Sequence, residues 1–259
     1  MIVAGLDIGS LTIKVVIFEE NEIKGFTIIP TGTDVNKLTK DCLEQTLRRT
    51  GNNFRDLQAI VATGYGRINV PFANKSITEI TCHALGASWI NSDTRTVIDI
   101  GGQDSKVISV DQDGRVIDFV MNDKCAAGTG RFLEVMAQAL GVKTEELGKE
   151  SLKSKKKISI SSMCTVFAES EVISLIAEGY AKEDIIRGLH EAISNRICSM
   201  ANRLRLENSV TLTGGVAKNM GMVHALKKRL KVKVYVPEEP QIVGALGAAI
   251  AARKIVYSG

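Results

Sequence analysis

The amino-acid sequence predicts an α/β protein in two lobes, made by duplication of one strand-rich unit. The segment Gly5-Leu6-Asp7-Ile8-Gly9-Ser10-Leu11-Thr12-Ile13-Lys14-Val15 recurs as Val97-Ile98-Asp99-Ile100-Gly101-Gly102-Gln103-Asp104-Ser105-Lys106-Val107, with Asp, Ile, Gly, Lys and Val at matched positions. Each copy runs through a β-rich stretch and a polar turn, Glu19 to Glu22 in the first and Asp111 to Gly114 in the second, into a further strand. At 259 residues the chain is long enough for two moderate domains.

Each repeat reads as strand, tight glycine turn, strand. Such a turn exposes backbone N–H groups beside a carboxylate, which suits phosphate and its metal ion. One Asp-x-Gly is an ordinary hairpin turn; two in register make a paired clamp the better reading. Later, Val210-Thr211-Leu212-Thr213-Gly214-Gly215-Val216-Ala217 reads as a buried strand ending in two glycines, which let a base or ribose approach the backbone, with a helix predicted over 218–230. A last helix is predicted from Gln241 to Ala252, where Gly244, Ala245, Gly247, Ala248 and Ala249 permit close packing against another helix.

Composition narrows the function classes. The chain is 44% hydrophobic and 24% charged, with no run of about eighteen apolar residues and no charged-then-apolar signal segment, so a soluble cytoplasmic protein without a membrane partner is expected. A formal charge of +4 and 5% aromatics supply neither a basic footprint nor stacking platforms, so nucleic acid is not an expected partner. His83, His190 and His224 show no metal spacing and are expected on the surface or satisfied in the core. The lysine-rich run from Lys153 to Lys157 reads as a solvated loop.

These elements, in this order, resemble the actin, heat-shock-70 and sugar-kinase superfamily of ATPases over the whole chain. The first hairpin is similar to its first phosphate loop, Asp99 to Asp104 to its second, Thr213-Gly214-Gly215 to its adenosine loop, and the last helix to its connecting helix. The resemblance implies a duplicated actin-like, ribonuclease H-like fold with ATP or ADP in a cleft. Its lobes would be residues 1–92 and 93–259, the last helix packing back at the hinge.

The five cysteines, at 42, 82, 125, 164 and 198, form no C-x-x-C pair and no disulfide framework. Cys42, Cys82 and Cys198 fall in helical patterns and are assigned to packing. Cys125 instead lies in Asn122-Asp123-Lys124-Cys125-Ala126-Ala127-Gly128-Thr129-Gly130-Arg131-Phe132-Leu133-Glu134, and Cys164 in Ser161-Ser162-Met163-Cys164-Thr165-Val166-Phe167-Ala168-Glu169-Ser170-Glu171. Each precedes a predicted helix, whose N-terminus favours thiolate. Two buried, inert thiols are the plain alternative; if these two are ligands, one chain cannot complete a four-cysteine cluster, and a twofold axis would supply the missing pair.

Those two segments resemble the signatures of the activators of 2-hydroxyacyl-CoA dehydratases, also called archerases, a family shared with the ATPase subunits of benzoyl-CoA reductases. The resemblance implies a homodimer with one [4Fe-4S] cluster held by Cys125 and Cys164 of both subunits. It implies single-electron transfer, coupled to ATP hydrolysis, to an iron–sulfur dehydratase or reductase, with ferredoxin or flavodoxin as donor. In that scheme Gly9, Ser10, Leu11, Thr12 and Lys14, with Gly101, Gly102, Gln103 and Asp104, hold the phosphates, and Gly128, Thr129 and Gly130 touch them too. Asp7 and Asp99 hold magnesium through water, Gln103 or Asp104 orients the attacking water, and Gly214, Gly215, Val216 and Gln241 line the adenosine end. Two rivals stand beside this reading: a small-molecule kinase of N-acetylhexosamine type with structural cysteines, and an actin-like assembly protein without redox chemistry.

Overall fold

A computed structural model describes residues 1–161, 164–204 and 206–258. Ser162 and Met163, in the second cysteine segment, lie outside the described residues. The chain forms two compact units: Met1–Val97 with Val110–Ile117 and Pro237–Gly259, and Ile98–Ser109 with Asp118–Val236. A cut after residue 92 would assign the last helix to the second unit, whereas its contacts belong to the first.

The first unit holds strands β1 (Ile2–Ile8), β2 (Thr12–Glu19), β3 (Glu22–Pro30), β4 (Leu57–Thr63) and β5 (Lys75–Ser76), with helices α1 (Val35–Arg49) and α2 (Glu79–Ile90). The sheet order is β3-β2-β1-β4-β5, with β1 antiparallel to β2 and parallel to β4. β1 is apolar and buried along nearly its whole length, as a central strand covered on both faces must be. β2 and β3 are joined by Glu20 and Asn21, at φ 49° and 68°, the two positive-φ residues of a tight hairpin turn. Asn21 Oδ1 accepts from Trp89 Nε1 at 3.3 Å and from Arg253 Nη1 at 2.6 Å, fixing that turn to the helices behind it.

The second unit repeats the design. Its sheet contains β6 (Thr96–Ile100), β7 (Ser105–Val110), β8 (Val116–Asn122), β9 (Ser209–Thr213) and β10 (Lys233–Tyr235), in the order β10-β9-β6-β7-β8. Read from the other edge this is third, second, first, fourth, fifth, the order of the first sheet. Its helices are α3 (Gly130–Leu140), α4 (Leu147–Ser151), α5 (Thr165–Ala177), α6 (Lys182–Asn202) and α7 (Met220–Leu230). Phe132, Leu133, Met136, Ala137 and Leu140 bury the apolar stripe of α3 in a core that includes Ile98, Ile100, Ile193 and Ile197. The lysine run is itself pinned by Asp184, whose Oδ1 accepts from Ser154 Oγ and from the N–H groups of Lys155 and Lys156 at 2.8–2.9 Å.

Helix α8 (Val243–Ser258) covers the first sheet, and its small residues set how closely it does so. A Cβ at Gly5 would strike the Ala245 carbonyl, one at Gly86 the Val243 carbonyl, and one at Gly247 the Cys82 carbonyl. The α2–α8 crossing therefore brings backbone onto backbone, with a glycine on each helix at the contact. Gly247→Ala gains about 1 kcal/mol of helix propensity and loses more by overpacking, so a net destabilisation of about 1–2 kcal/mol is expected. Urea unfolding followed by Trp89 fluorescence measures it, and an unchanged or raised midpoint contradicts the close-packing account.

His190 on α6 departs from the satisfied-core expectation. Its Nε2 meets Asn219 Nδ2 at 3.1 Å, while its Nδ1 is buried without a partner. Burial pushes its pKa down to about 4. A histidine depressed from its ordinary value near 6.5 contributes stability that is complete above that value and lost as pH falls toward 4, about 3 kcal/mol in all. The His190→Gln variant should therefore lose less stability than the parent between pH 7 and pH 4, and parallel stability–pH curves would refute this.

Candidate nucleotide and cysteine site

In the first unit the turn is closed by Gly9 N–H donating to Thr12 O at 3.0 Å, and Thr31 Oγ1 donates to Gly9 O at 2.9 Å. Ser10 and Leu11 form its tip. Asp7 at the end of β1 and Lys14 on β2 are cross-strand partners, and Lys14 Nζ lies 3.1 Å from Asp7 Oδ2 with both groups largely buried. The turn presents Gly9 and its neighbours outward while the charged pair supports it from beneath.

The second unit builds the same turn with one more charge. Gly101 N–H donates to Asp104 O at 3.0 Å, and Lys106 Nζ lies 2.7 Å from Asp104 Oδ2 and 3.5 Å from Asp99 Oδ2. Asp99 and Lys106 are buried, whereas the Asp104 side chain retains a third of its exposure and Gln103 is exposed. Thr213 Oγ1 donates to Asp99 Oδ1 at 2.9 Å. Removing Asp99 and Lys106 from water is costly, and mutual attraction plus hydrogen bonds must offset it.

The Thr-Gly that follows β9 also has a counterpart in the first unit, which the sequence reading missed. Gly214 sits at φ 86°, where a Cβ would strike Asp99 Oδ1 and the Ile100 carbonyl. Gly64, after Thr63 at the end of β4, sits at φ 85°, where a Cβ would strike Asp7 Oδ1 and the Ile8 carbonyl. Both positions need glycine for conformation and for space. The signal was present in Val61-Ala62-Thr63-Gly64 beside Thr211-Leu212-Thr213-Gly214, an apolar strand ending in Thr-Gly. Gly215 and Val216 enter a 3-10 turn rather than the first turn of α7, and Gln241 lies in another such turn in the first unit.

Around the start of α3 the second unit gathers most of its expected site residues. Gly130 N–H donates to Gly101 O at 2.9 Å and Arg131 N–H to Gly102 O at 2.8 Å. Two of the amides that a helix start leaves without intrahelical partners are thus bonded to carbonyls of the Gly101–Asp104 turn. Thr129, fully buried, bonds back through Oγ1 to Ala126 O at 2.6 Å, and Gly128 takes φ 89°. A Cβ on Gly130 would lie 3.6 Å from Val216 Cγ2. The loop carrying Cys125 is therefore continuous with a helix tied directly to Gly101 and Gly102.

The cysteines divide by burial. Cys42, Cys82 and Cys198 are buried, and burial pushes their thiols up to about 11, 12 and 11. Cys125 is half-buried and Cys164 exposed, at the N-cap of α5. These two are the cysteines that solvent reaches. Among the described residues no three His, Cys, Asp or Glu side chains gather into a metal-holding group.

Comparison with known proteins supplies the family. The BadF/BadG/BcrA/BcrD ATPase family matches residues 4–252. The chain belongs to that family. It is 47% identical over 251 residues to a 2-hydroxyisocaproyl-CoA dehydratase activator of Clostridioides difficile, covering 96% of this chain and 94% of that one. It is 44% identical over 252 residues to an (R)-2-hydroxyglutaryl-CoA dehydratase activating ATPase of Acidaminococcus fermentans, covering 96% of each. The solved structure of an activator of the 2-hydroxyisocaproyl-CoA dehydratase from Clostridium difficile, with bound ADPNP, superposes with a TM-score of 0.93 at 44% identity, covering 100% of this chain and 96% of that one. The fold is thus the actin-like ATPase fold, and the family is one of ATPases. No helix among the described residues is long and apolar enough to cross a membrane.

A cavity of about 680 Å³ in the second unit lies away from this chemistry. It is lined by residues of α6, α7 and the segment 151–160, and no expected phosphate or cysteine residue borders it. Hydrogen bonding and helix-terminus geometry, not cavity size, mark the candidate site. The buried pair beneath the second turn gives a direct test. Lys106→Met should destabilise the protein by about 3–5 kcal/mol at pH 7, the effect of leaving a buried charge without its partner, and adding Asp99→Asn should recover part of that loss. Chemical denaturation of the three proteins decides it, and a Lys106→Met midpoint equal to the parent's would show that the pair does not carry the turn.

Proposed function

We propose that the chain is an ATP-driven electron donor that activates an iron–sulfur dehydratase acting on 2-hydroxyacyl-CoA, or a related reductase. The observation that carries the reading is the pair of backbone hydrogen bonds from Gly130 and Arg131 to Gly101 and Gly102, which couples a phosphate-type turn to the helix behind Cys125. The names of the two relatives, dehydratase activator and dehydratase activating ATPase, support the same partner class. They do not favour a sugar kinase or an assembly protein.

In this reading Gly9, Ser10, Leu11 and Thr12 with Lys14, and Gly101, Gly102 and Gln103, hold the phosphates of ATP, with Gly128, Thr129 and Gly130 close by. Gly214, Gly215, Val216 and Gln241 serve the adenosine end. Asp104, fixed by Lys106, orients the attacking water, and the exposed Gln103 contacts phosphate. Magnesium would be held through water by Asp7 and Asp99, because lysines already occupy the direct positions on both carboxylates.

Cys125 and Cys164 of two copies would hold one [4Fe-4S] cluster, which stores and passes on one electron at low potential. Exposure supports the shared arrangement. Cys164 is followed on α5 by Val166 and Phe167, which are 67% and 68% exposed, an apolar surface of the kind another chain covers. Replacement of ADP by ATP alters what the second turn bonds, and the helix tied to it responds only through the differential affinity of the two ligands. A small reduced protein such as ferredoxin or flavodoxin would reload the dimer.

Anaerobic preparations should be brown, and Cys125→Ser or Cys164→Ser should lose iron and sulfide while still binding ATP; near-stoichiometric iron in either variant would sink the cluster assignment. Asp104→Ala should lower ATP turnover by 10²-fold or more, the usual scale for a group positioning a reacting water. Iron chelation from the reduced protein should run at different rates with ADP and with a non-hydrolysable ATP analogue, and equal rates would remove the coupling while leaving the cluster in place.

A further inference from the structure

Beneath the Cys125 loop lies a second set of contacts. Asn122, the last residue of β8, donates through Nδ2 to the carbonyls of Cys125 at 2.9 Å and Ala127 at 3.1 Å. Its Oδ1 accepts from Arg196 Nη2 of α6 at 3.0 Å. The amide orientation is forced, because a guanidinium only donates and carbonyls only accept, so Oδ1 must face Arg196 and Nδ2 must face the loop. Arg196 also lies against the turn itself: a Cβ on Gly128, at φ 89°, would be 3.0 Å from Arg196 Cδ and 3.5 Å from its Nε, and that buried Nε has no hydrogen-bond partner.

We infer that Asn122 and Arg196 are positioning residues for Cys125. They clamp the backbone of residues 125–127 to α6 and so fix the direction in which the thiol leaves the loop. The inference rests on the proposed ligand role of Cys125 only for its functional meaning; the clamp is a property of the chain with or without metal. The site uses both halves of the amide, its carbonyl oxygen toward Arg196 and its amide N–H groups toward the loop. Aspartate would keep Arg196 but lose both donors, and leucine would leave two carbonyls and a guanidinium without their partners. The contact on Gly128 also joins the clamp to the turn between Cys125 and α3. A shift at the phosphate end of that turn must then move against Arg196, an anchor outside α3.

The test uses the metal-free, reduced full-length chain under native conditions, with iodoacetamide labelling of each cysteine followed by peptide mass spectrometry. Asn122→Ala should raise the labelling rate of Cys125 on the order of tenfold, the scale of losing hydrogen bonds that hold a loop, while Cys164 stays within about twofold. Arg196→Met should act in the same direction, and Arg196→Lys, which keeps a donor for Asn122 Oδ1, should restore a rate near the parent's. A Cys125 rate unchanged in both Asn122→Ala and Arg196→Met overturns the inference, as does an equal rise at Cys125 and Cys164, which marks general loosening. If the parent takes up no cluster on reconstitution, the proposed function fails while the labelling result still decides the clamp. If it does take one up, the reduced cluster of Arg196→Met should show an altered electron paramagnetic resonance spectrum at equal iron content, and an identical spectrum counts against positioning.

Discussion

The structure depends on a carboxylate buried at the end of the first strand of each sheet. Asp7 and Asp99 have little access to water, so each requires a cation and hydrogen bonds within its own unit. The lysine two strand positions past the turn supplies the cation, which requires the antiparallel hairpin. The Thr-Gly at the end of the neighbouring fourth strand closes over the carboxylate, which requires a glycine with positive φ. Strand order, turn length and glycine placement thus follow from one electrostatic requirement met twice, and the duplication extends to the fifth strand.

From that base a short mechanical line leads outward in the second unit. Gly101 and Gly102, held by the Asp104 and Lys106 network, receive the first amides of α3. The loop before α3 carries Cys125 and is clamped from the side by Asn122 and Arg196. Every link in this line is a hydrogen bond or a backbone contact rather than a soft apolar surface. Such links transmit sub-ångström displacements in a way that a loosely packed interface does not.

Much of this was legible in the residues. Asp, Gly and Lys at matched positions announced the duplication because the chemistry at those positions admits few substitutes. The three packing cysteines were legible because each sat in a helical apolar pattern. The fourth-strand partner Thr63-Gly64 was harder to see, since Tyr65 follows it where Gly215 follows Thr213-Gly214. The close packing of α8 against another helix was legible in its small residues, but not that the helix is α2, because a stretch of glycines and alanines fits closely against many backbones and so does not name its neighbour. Arg196 was hidden for another reason. It lies within the long apolar periodicity of α6, which a core-facing helix explains fully, and its partner Asn122 is distant in the chain.

The way α8 completes the first unit bears on the order in which the protein is made. Ala245, Leu246, Ala248 and Ala249 belong to the same core as Val3, Val16, Phe18 and Val61, yet all of the second unit is translated between them. The amino-terminal sheet must leave the ribosome with one face uncovered, and it stays so until the cysteine-bearing unit has been synthesised. The second unit has its own continuous core and can fold while the first waits. The core of the first unit is therefore complete only after the whole cysteine-bearing unit has been synthesised.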